Sequence, residues 1–105
     1  MYKGVIIKSS LKEPKVLEEF KVLNQEMDGD WELFTVEATR EQIEQLAHEL
    51  EEGWYTHFWQ GRDVVAIFKD KIFEFNFDEK ESWKPVVDYG LSIGIPIEQL
   101  DFPIE

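Results

Sequence analysis

Residues 54–77, WYTHFWQGRDVVAIFKDKIFEFNF, decide the fold, because they hold two of the four tryptophans and five of the eight phenylalanines of the chain. Aromatic and β-branched residues suit a pleated, half-buried surface, so this stretch predicts strands rather than a helix. Polar turn residues interrupt the stretch twice, at residues 61–63 and at residues 70–71. The stretch therefore predicts a three-stranded meander, with strands near residues 54–60, 64–69 and 72–77.

The alternation of side chains predicts which faces of these strands are buried. In the third strand Phe73, Phe75 and Phe77 share one face, and the opposite face is mostly polar. The first two strands carry apolar or aromatic residues on both faces, so the middle strand is expected to lie inside the sheet. Helices of a chain this short cover one sheet face more readily than two. The second face is therefore either covered by the last helix or exposed as an interaction surface.

The composition predicts a single small α+β domain over residues 1–105. Hydrophobic residues make up 43% of the chain and aromatic residues 14%, which is too apolar for a disordered chain. The absence of cysteine excludes disulfides and thiolate zinc sites. No apolar run reaches the length of a signal peptide or a membrane span, so we expect a cytoplasmic protein without membrane contact.

The formal net charge of −12 bears on the class of partner. A protein that binds nucleic acid directly neutralises phosphates with lysine and arginine, and this chain has 11 basic against 23 acidic residues. The sequence therefore predicts no direct nucleic-acid binding. Such a charge favours basic partners or cations.

Residues 11–27 permit two interpretations, one long helix or a short helix followed by a strand. Asp28-Gly29 favours the second interpretation, because this dipeptide is a strong indication of a two-residue hairpin loop. Residues 31–38 then form the return strand. A loop at this dipeptide would place Leu23 opposite Phe34.

Two further helices are predicted from their caps. Thr39 and Gln42 have the spacing of a capping box, which predicts a helix over residues 40–52. A last helix is predicted to begin with Ser82 as its cap and to end at one of the two following glycines. Residues 101–105 are expected to form a tail.

The predicted order of elements is strand, helix, strand, strand, helix, strand, strand, strand, helix, and the first strand is the apolar run at residues 4–8. The first six elements have the ferredoxin-like βαββαβ order, which two strands and a C-terminal helix extend. We expect a mostly antiparallel sheet with helices packed on it. Element order alone implies no function.

His57 is the candidate catalytic residue, because histidine serves as an acid or base near neutral pH. It lies between Tyr55 and Trp59 on one face of a strand, and Arg62 follows in the next turn. These four residues could surround a small-molecule ligand of unknown identity in a cleft. A histidine on an aromatic strand is more often a packed residue, and no catalytic motif accompanies it. The sequence therefore favours a protein that is not an enzyme.

Acidic turns offer a metal hypothesis that the spacing does not favour. Asp28 and Asp30 flank one glycine, and further carboxylates occur at residues 78–81. Neither group has the ligand spacing of a calcium loop, and solvated turns explain both. No metal and no other cofactor is predicted.

The functional prediction depends on large aromatic residues whose place in the fold the sequence leaves open. Trp31, Tyr55 and Trp59 are expected either to lie on the sheet face away from the helices or to be covered by the last helix. The first hypothesis is a small acidic, non-enzymatic protein-interaction or regulatory module that forms a homodimer or docks a protein partner through this aromatic face. Its interface residues are Trp31, Tyr55, His57, Trp59 and Arg62. The alternatives are a small-molecule or catalytic domain around His57, and an acidic decoy that occupies a nucleic-acid-binding protein.

Overall fold

One six-stranded antiparallel sheet organises the computed structural model, which describes residues 1–102 and 104. The spatial order of its strands is β2-β3-β1-β4-β5-β6. The strands are β1 (Tyr2–Ile7), β2 (Lys21–Asp28), β3 (Trp31–Ala38), β4 (Tyr55–Gln60), β5 (Asp63–Phe68) and β6 (Lys71–Asn76). Two α-helices, α1 (Arg40–Leu46) and α2 (Lys84–Ser92), pack on the sheet. The described residues thus form a single α+β domain, as the sequence predicts.

The described residues also form five short 3₁₀ helices, of which the last follows α2, at Lys8–Ser10, Pro14–Glu19, Ala47–Glu49, Lys80–Trp83 and Ile97–Gln99. The segment that opens at Pro14 is therefore a 3₁₀ helix followed by a strand, which confirms the hairpin interpretation of residues 11–27 in preference to one long helix. No helix among the described residues is long and apolar enough to cross a membrane.

The meander predicted from residues 54–77 is confirmed as β4, β5 and β6. Tyr55 pairs with Phe68 across β4 and β5, and Ala66 pairs with Phe73 across β5 and β6. β5 is buried from Val64 to its last residue, because helices or connecting segments cover both of its faces. The two-sided apolar pattern of this strand is thereby explained.

The β2–β3 hairpin is confirmed, but its predicted register is wrong. Phe34 lies opposite Gln25 and not opposite Leu23. The loop consists of Gly29-Asp30, and Gly29 occupies its first position with φ of +63°. A positive φ at that position suits the right-handed twist of the flanking strands, and glycine adopts it without a steric cost. A β-bulge near Leu23, between Val22 and Asn24, shifts the pairing of β2 with β3 by one further residue.

The capping box of α1 is confirmed, but the helix ends earlier than predicted. Thr39 Oγ1 accepts a hydrogen bond from the Gln42 backbone N–H at 3.1 Å, and Gln42 Oε1 accepts from the Thr39 N–H at 2.8 Å. The helix tightens to a 3₁₀ turn at Ala47, and Leu50 is extended. Leu50 is buried and forms a strand-like bridge with Leu11, so tertiary packing ends the helix before residue 52.

Two predictions near the C-terminus are wrong. Ser82 does not cap α2, because its hydroxyl donates to the backbone carbonyl groups of Glu79 and Asn76. Phe102 does not belong to a tail outside the fold, since it is 0% exposed and its ring contacts Tyr55 and other aromatic rings of the core. The rest of the predicted tail includes residues 103 and 105, which lie outside the described residues.

The sheet separates two cores. The face that α1 covers, called the α1 face, buries an aliphatic cluster that includes Ile6, Val36, Ile43, Phe58 and Ile67. The opposite face, called the α2 face, buries an aromatic cluster that includes Phe68, Phe75, Trp83, Val86 and Phe102. β1 and β4 approach closely on the α1 face, where a Cβ atom at Gly4 would lie 2.3 Å from the Phe58 ring.

The α2 face is covered over only half of the sheet. Helix α2 and the segment after it pack over β4, β5 and β6. On β1 and β3 the same face carries half-buried or exposed side chains, which we call the open face and define as Val5, Ile7, Trp31, Leu33 and Thr35. The open face is where the fold leaves apolar surface without a covering element.

Candidate docking groove

A groove of about 380 Å³ crosses the open face where β1 and β3 meet the start of β4. Its floor is aliphatic. Val5 and Ile7 are two residues apart on β1, and Ile7 lies opposite Leu33 on β3. Side chains two residues apart share a sheet face, so the floor follows from the alternation along two neighbouring strands.

Two tryptophans form one wall of the groove. Trp31 begins β3 and Trp54 directly precedes β4, and their ring centroids lie 5.5 Å apart at an interplanar angle of 66°. This edge-to-face arrangement is favourable for aromatic pairs. Trp31 is nevertheless 45% exposed, so a large aromatic surface remains open to solvent.

The segment after α2 forms the opposite wall, with Ile95, Gln99 and Asp101 lining the groove. The Tyr55 hydroxyl donates a hydrogen bond to the backbone carbonyl of Gln99 and so fastens this segment to β4. Phe102 anchors it from below, because its ring packs edge-on against Tyr55 at 5.6 Å. The wall is therefore part of the folded core.

The charged and polar side chains of the groove indicate the kind of ligand that it suits. Among the described residues that line the groove, Asp101 is the one acidic side chain, and none is a lysine or an arginine. Burial, and next the negative charge of Asp101, raise the pKa of Tyr55 to about 12. The Tyr55 phenol is thus a neutral hydrogen-bond donor over the physiological range. An apolar floor with one carboxylate suits a ligand that has an apolar body and a positive charge.

His57 also lines the groove, from the α2 face of β4. Its ring lies 5.6 Å from the ring of Trp59 and 5.6 Å from the ring of Phe102. The imidazole is therefore packed among aromatic side chains.

The structure brings together three of the five site residues proposed from the sequence. Trp31, Tyr55 and His57 line one groove. Trp59 lies beside His57 but is only 8% exposed, and it does not line the groove.

Arg62 lies elsewhere, in the turn after the opposite end of β4. Its guanidinium donates to Asp78, with 2.9 Å between Arg62 Nε and Asp78 Oδ2, and stacks 4.8 Å above the Phe77 ring centroid. The hydrogen bond from Arg62 lowers the pKa of the Asp78 carboxyl. Arg62 is therefore engaged in a surface ion pair away from the groove.

Sequence reasoning missed Trp54, Asp101 and the floor residues. Val5 and Ile7 flank Ile6 in a continuous apolar run, which indicates a strand with two apolar faces and so could have pointed to the floor. No sequence pattern indicates that Asp101 belongs to the groove, because its position depends on the burial of Phe102. No group of three or more histidine, aspartate or glutamate side chains within residues 1–102 and 104 is arranged to hold a metal ion.

Comparison of the chain with protein-family models, with curated proteins and with solved structures finds no match.

Proposed function

We propose that the protein is a non-enzymatic interaction module that docks a basic, partly apolar segment of a partner protein in the groove. The observation that carries this proposal is the open face, where Trp31 is 45% exposed while α2 and the segment after it cover β4, β5 and β6 on the same side of the sheet. Interfaces are enriched in tryptophan and tyrosine because these rings supply large contact area with a polar handle.

The chemistry of the groove favours a basic occupant. An aliphatic stem fits against Val5 and Ile7, and a lysine or arginine head group at the rim can meet the Asp101 carboxylate. The faces of Trp31 and Trp54 add cation–π attraction. The net charge of −12 attracts a basic segment over a longer range and raises its rate of association.

The lining supports binding rather than catalysis. Tyr55 keeps its proton, because its pKa is about 12, and its hydroxyl already donates to Gln99. Thr56 is buried, and alternation directs its side chain toward the α1 face together with Phe58. The described lining residues include neither serine nor cysteine, so they offer none of the most frequent nucleophiles.

A peptide panel tests the proposal with the full chain. The probes are short peptides that place lysine or arginine beside leucine or tryptophan, and matched peptides in which glutamate replaces each basic residue. We expect the basic peptides to bind and to shift the backbone amide resonances of Val5, Ile7 and Leu33. Added salt should weaken this binding. Equal binding of the acidic peptides, or shifts confined to other surfaces, would overturn the proposal.

The same titrations identify other occupants. Self-association through the open face, an expectation from the sequence, would shift these resonances with protein concentration in the absence of peptide. Binding that depends on salt but not on Trp31 would instead support the acidic-decoy hypothesis.

A second candidate function is a small-molecule site, which the volume of about 380 Å³ favours because ligand pockets commonly span about 300–1,000 Å³. His57 and Asp101 are the polar groups that would orient such a ligand. A thermal-shift screen of small amines and neutral aromatics tests it. The hypothesis requires a compound that stabilises the wild type and that no longer stabilises His57→Gln.

We also propose that the first four strands are a version of the ferredoxin-like unit. The spatial order β2-β3-β1-β4, with antiparallel neighbours, supports this relationship. The 3₁₀ helix Pro14–Glu19 stands where an α-helix is usual, and β5 and β6 extend the sheet. An experimental structure with another strand order would contradict it.

A further inference from the structure

The two edge strands of the sheet, β2 and β6, differ in whether side chains cap their backbone groups. At the β6 edge the hydroxyl of Ser82 accepts a hydrogen bond from the Asn76 backbone N–H, and the Trp83 indole donates to the Asn76 carbonyl at 3.1 Å. At the β2 edge all eight residues are exposed. Within the described part of the chain no side chain caps a backbone group of Lys21–Asp28. An uncapped edge strand of this length is a template for pairing with another chain.

The sequence of β2 is complementary to itself in the antiparallel direction. Pairing with β3 fixes the face of each side chain, and the bulge near Leu23 inverts the alternation once. The side chains on the open-face side are Lys21, Asn24, Glu26 and Asp28, and those on the α1 side are Val22, Gln25 and Met27.

We propose that β2 pairs with β2 of a second copy of this chain about a two-fold axis at Gln25. In this register Asn24 lies opposite Glu26 of the second copy, and Lys21 lies opposite Asp28 of the second copy. The bulge residues Val22 and Leu23 lie together opposite Met27 of the second copy.

Two properties of the opposed side chains favour this register, namely their charges and the sheet face on which they lie. Each carboxylate of β2 meets a donor, because Glu26 faces an amide and Asp28 faces an ammonium group. No two like charges are opposed, and the exposed apolar side chains cover one another. Opposed residues point to the same side of the sheet throughout, whereas a slip by one residue would turn every pair to opposite faces.

The pairing joins the two six-stranded sheets into one continuous sheet. A two-fold axis perpendicular to a sheet keeps equivalent faces on the same side, so both open faces look in one direction. The dimer therefore presents two grooves side by side. A partner with two basic segments would gain from their high effective concentration. The dimer itself does not depend on what occupies the groove.

A proline substitution tests the hydrogen bonds of the pairing. The Gly29-Asp30 turn makes Asp28 and Trp31 a hydrogen-bonded pair, and such pairs alternate along a ladder, so the backbone N–H of Gln25 points outward. Sedimentation of the full chain over a concentration series should show a wild-type dimer, and Gln25→Pro should weaken it by at least about tenfold. Proline is tolerated at an outward-facing edge position, so the thermal midpoint should change little.

A charge exchange provides a second test that does not depend on how Gln25→Pro folds. Lys21→Asp and Asp28→Lys each oppose like charges twice and should weaken the dimer roughly threefold to thirtyfold. The double variant Lys21→Asp/Asp28→Lys restores both pairs and should recover the wild-type dimer.

Three results would overturn the pairing. They are a wild type that stays monomeric at all concentrations, a dimer that neither set of variants affects, and a double variant weaker than both single ones. Trp31→Ala separates this inference from the groove, because it should weaken peptide docking and leave the dimer unchanged.

Discussion

Replacement of Trp31 by alanine removes one of the two rings that form the tryptophan wall of the groove, and it leaves the sheet intact. Trp31 begins β3 at the hairpin loop, outside both buried clusters. Its loss forfeits the edge-to-face contact with Trp54, worth about 0.5–1.5 kcal/mol. We therefore expect a folded variant with a slightly lower free energy of unfolding and a groove that is open on one side.

The effect on docking follows from the exposed area. A buried aromatic side chain removes up to about 250 Å² from water. Trp31 is 45% exposed, so an occupant that covers it buries roughly 110 Å² of this ring system. At about 25 cal/mol per Å² this contributes roughly 2–3 kcal/mol. The dissociation constant of the occupant should then rise roughly 30-fold to 150-fold in Trp31→Ala.

Fluorescence anisotropy of the tightest labelled peptide from the basic panel measures this change. Leu91→Ala is the matched control, because Leu91 is 46% exposed on α2 and does not line the groove. Urea unfolding of both variants shows whether the fold persists. A change below about threefold in Trp31→Ala, or an equal change in Leu91→Ala, would refute the assignment of the docking site.

Three further predictions test the physical basis of the site and the fold. The pKa of Tyr55 is about 12 when folded, against an ordinary value near 10, so the stability that the protonated phenol contributes is fully present well below pH 10 and is lost as the pH rises through 12. In denaturant titrations the stability advantage of the wild type over Tyr55→Phe should therefore narrow by roughly 2 kcal/mol between pH 10 and pH 12, and an unchanged difference would contradict the raised pKa. Gly4→Ala forces a Cβ atom against Phe58 and should cost about 2 kcal/mol or more in urea unfolding, and the cost should shrink in the Phe58→Leu background; additive effects of the two substitutions would disprove the clash. Thr39→Ala removes the capping box and should lower the free energy of unfolding by about 1 kcal/mol, whereas Thr39→Ser should retain most of it, and an equal loss in both would show that the cap is not the cause.

Local chemistry explains why much of the fold could be predicted. The meander and the β2–β3 hairpin depend on alternation and on turn residues within a few positions of one another. Thr39 and Gln42 likewise determine the start of α1 without reference to the rest of the chain.

Tertiary packing explains what could not be predicted. The end of α1 depends on the bridge between Leu50 and Leu11, which are 39 positions apart (50 − 11). The groove depends on the burial of Phe102, which returns the segment with Asp101 to the start of β4. Trp31, Tyr55 and His57 could be proposed because they are conspicuous residue types, but their meeting with Asp101 is a property of the folded chain.

The size of α2 accounts for the open face. Adjacent strands lie about 4.8 Å apart, so six strands extend over roughly 24 Å between the outermost strands. A helix of nine residues is about 13.5 Å long and about 10 Å wide with its side chains. Helix α2 is therefore smaller than the sheet, and together with the segment that ends in Phe102 it covers β4, β5 and β6. In the docking proposal, a basic segment of another molecule covers Trp31 and the groove floor and meets the Asp101 carboxylate at the rim.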